Sequence, residues 1–118
     1  MAKTVLVVDD SLFMRELIRE TLEDAGYVVV GEAENGEDAI EMTLELNPDI
    51  VTLDNVLPDI NGTEVLKVYK EEGINPDVIM ISGVGQDAVI NEGLSLGAKD
   101  YLVKPFTPDQ LLDALDAL

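Results

Sequence analysis

The stretch TVLVVDDS, residues 4–11, decides the fold, because a run of β-branched and apolar residues ends there on two adjacent acids. An uninterrupted apolar run of this length predicts a strand that is buried on both faces. Such strands belong to parallel sheets whose two faces are covered by helices. Asp9 and Asp10 then stand at the carboxyl end of the strand, where open sheets of this kind carry their binding groups.

The alternation of a short apolar run with an amphipathic stretch continues along the whole chain. It predicts a doubly wound α/β fold with five parallel strands, five helices and right-handed connections. We expect the flavodoxin-like strand order 2-1-3-4-5, which is taken from known folds of this type and not worked out from this sequence. The predicted strands are 4–8, 27–33, 50–53, 78–82 and 101–103, and the predicted helices are 12–25, 35–47, 61–72, 86–96 and 107–118.

Capping residues indicate where several of these helices begin. Asn35 is an expected N-cap, with two acids in the turn that follows. The segment NGTE at 61–64 has the pattern of a capping box, and TPDQ at 107–110 adds a proline at the first helical position. In the first helix, the residues expected to face the core are Phe13, Leu17, Leu22 and Ala25.

The composition excludes several classes of function. A length of 118 residues predicts one domain, with no residues left for an output domain after the fifth helix, and no apolar run is long enough for a transmembrane helix. The absence of histidine and cysteine excludes catalytic triads, thiol nucleophiles and thiolate metal sites. The amino-terminal residues lack the pattern of a signal peptide, so a cytoplasmic protein is expected.

The charge is strongly acidic, with 25 acids against 7 bases and a formal net charge of −18. Nucleic acids and anionic membranes are therefore disfavoured as partners, because both require a basic face. Two hypotheses account for the excess: a saline cytoplasm or a basic partner. Either predicts that the melting temperature rises with salt, since salt screens repulsion between the acids.

Three acids are expected to converge at one edge of the sheet. Asp9 and Asp10 follow strand one and Asp54 follows strand three, and these strands are neighbours in the expected order. Two like charges about 4 Å apart repel by about 4 kcal/mol at an effective dielectric constant of about 20, so the cluster needs a cation or raised pKa values. Carboxylate oxygens suit Mg²⁺. Each acid alone could equally be a helix N-cap.

Three further side chains follow or lie in the neighbouring strands. Lys104 follows strand five and could pair with Asp54, Ser82 ends strand four, and Tyr101 lies in strand five. Taken singly, they have ordinary interpretations as a solvated lysine, a turn hydroxyl and a half-buried strand aromatic. Their joint placement, with one group at each of strands one, three, four and five, indicates a functional site, in which Lys104 and Ser82 could bind a phosphoryl group.

The sequence resembles the receiver domains of two-component response regulators from end to end. The segment LFMR at 12–15 and the pair Gly85-Gln86 make it similar to the CheY-type chemotaxis regulators in particular. The segments that carry the resemblance are VLVVDDS at 5–11, DIVTLD at 49–54, LPDINGTE at 57–64, ISGVGQ at 81–86 and GAKDYLVKPF at 97–106.

The resemblance implies a role for each group. Asp54 would accept the phosphoryl group, Mg²⁺ would be held by Asp9, Asp10, Asp54 and the backbone carbonyl of Val56, and Lys104 and Ser82 would bind the phosphoryl oxygens. Ser82 and Tyr101 would form the switch, and the Lys104–Pro105 bond would be cis. The implied partners are a histidine kinase of the chemotaxis type, a motor or motor-adaptor protein and a phosphatase. The chain would be a monomer that catalyses only its own phosphorylation and dephosphorylation.

Three residues depart from the family pattern: Asn55 after the acceptor, Asn61 in the cap and Gly83 after Ser82. The amide of Asn55 either faces the core or perturbs its loop, and Gly83 is expected to loosen the loop after Ser82. Asn61 should serve as a cap as well as an aspartate does.

Other functions remain open at this point. A receiver could serve a phosphorelay outside chemotaxis, such as one in sporulation or development. An aspartyl-nucleophile phosphatase would want Asp-x-Asp after strand one, whereas here the acids are adjacent. An FMN carrier would find its phosphate repelled by Asp9 and Asp10, and the intact set of acids argues against a pseudo-receiver.

Overall fold

The computed structural model describes residues 2–118, and a parallel sheet runs through its centre. Counted along the chain, its strand order is 2-1-3-4-5, which confirms the predicted order. Each of the four neighbouring pairs is parallel, so all the carboxyl ends meet at one edge. The strands are β1 (Thr4–Val8), β2 (Val28–Ala33), β3 (Ile50–Leu53), β4 (Asp77–Ser82) and β5 (Asp100–Val103).

Helices cover both faces of the sheet, as the alternating pattern predicts. The residues of β1 alternate between the two layers: Val5 and Val7 pack with the first and fifth helices, while Leu6 and Val8 pack towards the second, third and fourth helices. Among residues 2–118, no helix is both long and apolar enough to cross a bilayer. The helices are α1 (Leu12–Asp24), α2 (Gly36–Leu46), α3 (Gly62–Glu72), α4 (Asp87–Ser95) and α5 (Pro108–Asp116).

The predicted core face of α1 is wrong. Phe13 is 74% exposed and Leu17 is 36% exposed, whereas Ile18 and Leu22 are buried. Leu22 was placed correctly, and Ile18 lies one helical turn before it on the same face. Phe13 and Leu17 lie on a neighbouring stripe that the sheet does not cover. Ala25, the C-cap of the helix, is exposed as well.

The predicted caps of α2 and α5 are confirmed. In α3, Asn61 is the N-cap residue as predicted, but the predicted capping box does not form. Asn35 accepts the backbone N–H of Asp38 at 2.8 Å, and Thr107 and Gln110 form the reciprocal capping box. Asn61 makes no capping bond through its side chain.

Asn55, one of the residues that depart from the family pattern, binds the first N–H groups of α3. Its side-chain oxygen accepts the N–H of Thr63 at 3.2 Å and its backbone oxygen accepts the N–H of Gly62 at 2.8 Å. These are two of the N–H groups that have no partner inside a helix. The amide of Asn55 therefore faces the interior, where it is 8% exposed.

Candidate functional site

Three carboxylates meet at the carboxyl edge of the sheet. Asp9 and Asp10 follow β1, Asp54 follows β3, and the last residues of these strands, Val8 and Leu53, are paired. One oxygen from each acid lies within 4.8 Å of the other two. Asp9 and Asp54 are buried, with 1% and 5% exposure, and Asp10 is exposed. The strand order thus brings together the acids that the sequence singled out.

Lys104 places its ammonium group between two of these acids. Its Nζ lies 2.7 Å from Asp9 Oδ2 and 3.3 Å from Asp54 Oδ2. A pair with Asp54 was expected, but the shorter contact is the one with Asp9. The backbone N–H of Lys104 donates to the carbonyl of Ser82 at 2.8 Å, which fixes its loop against β4. The Lys104–Pro105 bond is cis, as the resemblance implied.

Burial and charge act in opposite directions on the ionisable groups of this site. Burial raises the pKa of Asp54, Lys104 lowers it and Asp9 raises it again, with a net shift upwards. Burial lowers the pKa of Lys104, but its bonds and attraction to Asp9 and Asp54 outweigh that effect and leave the pKa raised. Lys104 is therefore firmly protonated, and the carboxylates of Asp9 and Asp54 share its ammonium group.

The loop after Asp54 lies tightly against the start of α3. The N–H of Asp54 donates to the carbonyl of Val8 at 3.0 Å, and the N–H of Val56 donates to Asp54 Oδ1 at 3.2 Å. A Cβ atom on Gly62 would lie 2.6 Å from the carbonyl oxygen of Asp54, so only glycine fits there. Val56 itself is 55% exposed beside the carboxylate of Asp54.

Ser82 and Tyr101 lie beside the acids without bonding to them. Ser82 is fully buried at the end of β4, and its hydroxyl accepts the N–H of Val84 at 3.4 Å. Tyr101 is 8% exposed, its hydroxyl donates to the carbonyl of Val84 at 2.7 Å, and burial raises its pKa. Among the described residues, neither hydroxyl is hydrogen-bonded to a carboxylate of the cluster. The ring of Tyr101 is turned inwards and buried, not half-buried.

Comparison with known proteins places this site in a family. Residues 5–116 match the family of the response regulator receiver domain. This chain is a response regulator receiver domain. Proteins of this family act in signalling. In this chain, the acidic cluster lies at the carboxyl edge of the five-stranded sheet.

Individual relatives resemble this receiver domain over nearly its whole length. It is 44% identical over 116 residues to the chemotaxis protein CheY of Thermotoga maritima, covering 98% of this chain and 97% of the relative. It is 41% identical over 116 residues to CheY of Bacillus subtilis, with the same coverage. A chain in the crystal structure of the CheX–CheY–BeF₃–Mg²⁺ complex from Borrelia burgdorferi superposes with a TM-score of 0.93 at 32% identity, covering 98% of this chain and 87% of that one.

The sequence did not reveal every residue that shapes the receiver site. Arg15 donates through Nη1 to the backbone carbonyl of Asp9 at 2.7 Å, and its Nε lies 3.2 Å from Glu32. Asp59, in the loop after β3, accepts the N–H groups of Gly36 and Glu37 at 2.8 and 2.9 Å. A basic residue five positions after the acidic pair, in a chain with only 7 bases, was the signal that could have singled out Arg15.

Proposed function

We propose that this receiver is a single-domain response regulator that accepts a phosphoryl group on Asp54 from a histidine kinase and thereby changes its binding to a partner. The observation that carries the proposal is the position of Asp54. Its carboxylate is buried at the end of β3, beside Asp9 and Asp10 and 3.3 Å from the ammonium of Lys104. A nucleophilic carboxylate needs this combination of fixed position and neighbouring cations.

The acids fit a Mg²⁺ ion. Three carboxylate oxygens lie within 4.8 Å of one another, and among residues 2–118 Lys104 is the one basic side chain that contacts them. Hard oxygen ligands of this kind, with one acid exposed to solvent, suit an ion that keeps several of its waters. We assign Asp9, Asp10, Asp54 and the backbone carbonyl of Val56 as its ligands. When bound, the ion would neutralise charge that develops on the phosphoryl oxygens.

The chemistry is a transfer of the phosphoryl group to Asp54. A carboxylate oxygen of Asp54 forms the new O–P bond as the P–N bond to the imidazole of the donor breaks, which leaves an acyl phosphate on the protein. Lys104 stabilises the phosphoryl oxygens through its ammonium group. The donor histidine must come from another protein, because this chain contains none. The receiver thus catalyses only its own phosphorylation and dephosphorylation.

Ser82 and Tyr101 are proposed to carry the signal away from Asp54. A phosphoryl group offers new acceptor oxygens to the hydroxyl of Ser82, for which residues 2–118 supply only the 3.4 Å bond from Val84. Movement of Ser82 towards those oxygens leaves space that the inward ring of Tyr101 fills. Phosphorylation would then favour the inward position of Tyr101 and the arrangement of α4 that packs on it.

The resemblance to proteins named CheY supports a role in chemotaxis and motility. The proposed partners are a chemotaxis-type histidine kinase, a motor or motor-adaptor protein and a phosphatase, in the cytoplasm, with the receiver as a monomer. In the similar structure from Borrelia burgdorferi, a CheY protein is in complex with CheX. A receiver that serves a different phosphorelay would share this site and differ in its kinase.

The proposal is tested by phosphorylation with a small-molecule phosphodonor in the presence of Mg²⁺. The intact protein should gain the mass of one phosphoryl group, whereas Asp54→Ala should gain none over the same reaction time. Asp113→Ala, which removes an exposed acid on α5, is the control and should be labelled normally. Labelling that persists in Asp54→Ala would overturn the assignment of the acceptor.

A further inference from the structure

The backbone and side chain of Asp9 are held on every polar atom. Its N–H donates to the carbonyl of Ala33 at 3.0 Å, Oδ1 accepts the N–H of Ser11 at 2.9 Å and Oδ2 accepts from Lys104 at 2.7 Å. The fourth atom, the backbone carbonyl oxygen, accepts Nη1 of Arg15 at 2.7 Å. Asp9 is thus a fixed point of the acidic cluster.

Asp10 has no such support of its own. It is exposed, and none of the hydrogen bonds or ion pairs found within residues 2–118 involves its side chain. Its carboxylate nevertheless lies in the cluster with Asp9 and Asp54. The orientation of the Asp10 side chain must therefore be set by the backbone that precedes it.

Arg15 controls that backbone. The carbonyl of Asp9 belongs to the planar peptide unit that joins Asp9 to Asp10. A short bond from a charged donor to this oxygen fixes the rotation of the whole unit, and with it the position of the Asp10 Cα. No other donor among the described residues reaches this carbonyl through a side chain.

Arg15 is itself held from behind. Its Nε lies 3.2 Å from Glu32 Oε1, and the second oxygen of Glu32 lies 2.7 Å from Nη1 of Arg19. The side chain of Arg15 is only 12% exposed, against 41% for Arg19. The planar guanidinium can serve Glu32 and the Asp9 carbonyl at once because its donors point in fixed directions.

We infer that Arg15 is a positioning residue for the metal site: clamped by Glu32, it orients the Asp9–Asp10 peptide so that the carboxylate of Asp10 is presented to Mg²⁺. The inference rests on the proposed function, because it takes Asp10 to be a metal ligand. Groups that orient metal ligands in this way typically contribute about 10- to 100-fold to affinity.

A purely electrostatic effect of Arg15 would have the opposite sign. Removing a positive charge near an acidic cluster strengthens the attraction for a cation. If Arg15 mattered only through its charge, its loss would tighten Mg²⁺ binding, and the loss of Arg19 would do the same. Positioning predicts that the loss of Arg15 weakens binding.

The test measures the dissociation constant of Mg²⁺ by calorimetry for the wild type, Arg15→Gln and Arg19→Gln. Both variants lose one positive charge and one ion pair with Glu32, but only Arg15→Gln loses the bond to Asp9. We expect Arg15→Gln to bind about tenfold more weakly than Arg19→Gln. Equal affinities, or tighter binding by Arg15→Gln, would overturn the inference and leave the metal site intact. A wild type that binds no Mg²⁺ would overturn the proposed metal site and this inference together.

A second measurement tests the loop without any metal. In the metal-free protein, the amide NMR signals of Asp10 and Ser11 should shift in Arg15→Gln and stay in place in Arg19→Gln. Unchanged signals in Arg15→Gln would contradict the claimed control of the peptide. If Arg15→Gln does not fold, Arg15→Lys replaces it, with Arg19→Lys as its control, and the same ranking of Mg²⁺ affinities is expected because one ammonium group cannot reproduce the guanidinium fork.

Discussion

The two loops that flank the site differ in how firmly they are held. In the acid loop, residues 9–11, Asp9 is bonded at every polar atom, and Ser11 caps α1 by accepting the N–H of Met14 at 3.3 Å. In the switch loop, residues 82–86, the side-chain hydroxyl of Ser82 accepts one long bond, from the N–H of Val84 at 3.4 Å. The N-cap residue of α4, Gln86, makes no capping bond through its side chain. Fixed carboxylates favour chemistry, whereas a loosely held helix start favours switching.

The packing below each loop shows the same contrast. Helix α1 buries Ile18 and Leu22 against the sheet, but the one buried residue of α4 is Gly93. A Cβ atom on Gly93 would lie 2.7 Å from Sδ of Met80 and 3.5 Å from the ring of Tyr101. Gly93 therefore lets α4 lie close to these side chains and does more than loosen the helix. The position of α4 depends on where the ring of Tyr101 is.

The largest effect on phosphorylation is expected from Lys104, whose ammonium group contacts both Asp9 of the acid loop and Asp54. Lys104→Met should slow phosphorylation by about 100-fold, because removal of one preorganised electrostatic donor typically costs that much. The measurement is the initial rate of labelling by a small phosphodonor with Mg²⁺. Lys99→Met, which removes an exposed lysine just before β5, should label at the wild-type rate. Equal rates for the two variants would contradict the role given to Lys104.

In the switch region, Gly93→Ala should destabilise the fold by about 1 kcal/mol. Overpacking against Met80 and Tyr101 costs about 2 kcal/mol, and the gain in helix propensity returns about 1 kcal/mol. Thermal or urea unfolding measures the difference. Gly83→Ala is the matched control, since a Cβ atom there meets nothing within 4 Å. A Gly93→Ala variant as stable as Gly83→Ala would mean that α4 is not held against Tyr101.

The Asp54 loop should prove to be anchored by Asn55 and not by Asn61. Asn55→Ala should lower the free energy of unfolding by about 1 kcal/mol, because it removes the side-chain cap of α3. Asn61→Ala should change it little, since Asn61 makes no capping bond through its side chain. Urea denaturation of both variants gives the comparison. The reverse ranking would restore the capping box that the sequence predicted.

The smallest expected effect is on the pH dependence of stability, through Asp59. The N–H groups of Gly36 and Glu37 hold the pKa of Asp59 below its usual value. A lowered pKa adds stability above the pKa of the unfolded chain, about 3.9, and this stability is lost as the pH falls through the lower folded value. The stability difference between wild type and Asp59→Asn should therefore shrink below about pH 4. A difference that stays constant from pH 7 to pH 3 would rule out this linkage.

The positions of the acids could be predicted from sequence because they follow from strand ends. The pair Asp9-Asp10 and the single Asp54 each follow an apolar run, and the pairing of β1 with β3 brings them together at one edge of the sheet. Lys104 and Ser82 were found in the same way. Local patterns of this kind depend on few residues, and the fold brings them together without further adjustment.

The remaining features depend on how loops fold over helix ends, which no local pattern records. The segment NGTE at 61–64 matches the capping-box pattern, but Asn61 makes no side-chain bond, and the N–H of Thr63 donates to the buried amide of Asn55 instead. The face of α1 differs by one stripe because both Leu17 and Ile18 are apolar. The bond from Arg15 to a backbone carbonyl leaves no trace in residue types, since every residue has such a carbonyl.

The most direct test of the coupling between Asp54 and the switch loop is an NMR titration with beryllofluoride, a mimic of the phosphoryl group, in the presence of Mg²⁺. We predict shifts in the Asp54 loop together with shifts along α4 and in the ring of Tyr101. In Ser82→Ala the mimic should still bind, but the shifts at Tyr101 should be smaller. Shifts confined to the Asp54 loop, with α4 and Tyr101 unmoved, would contradict the account.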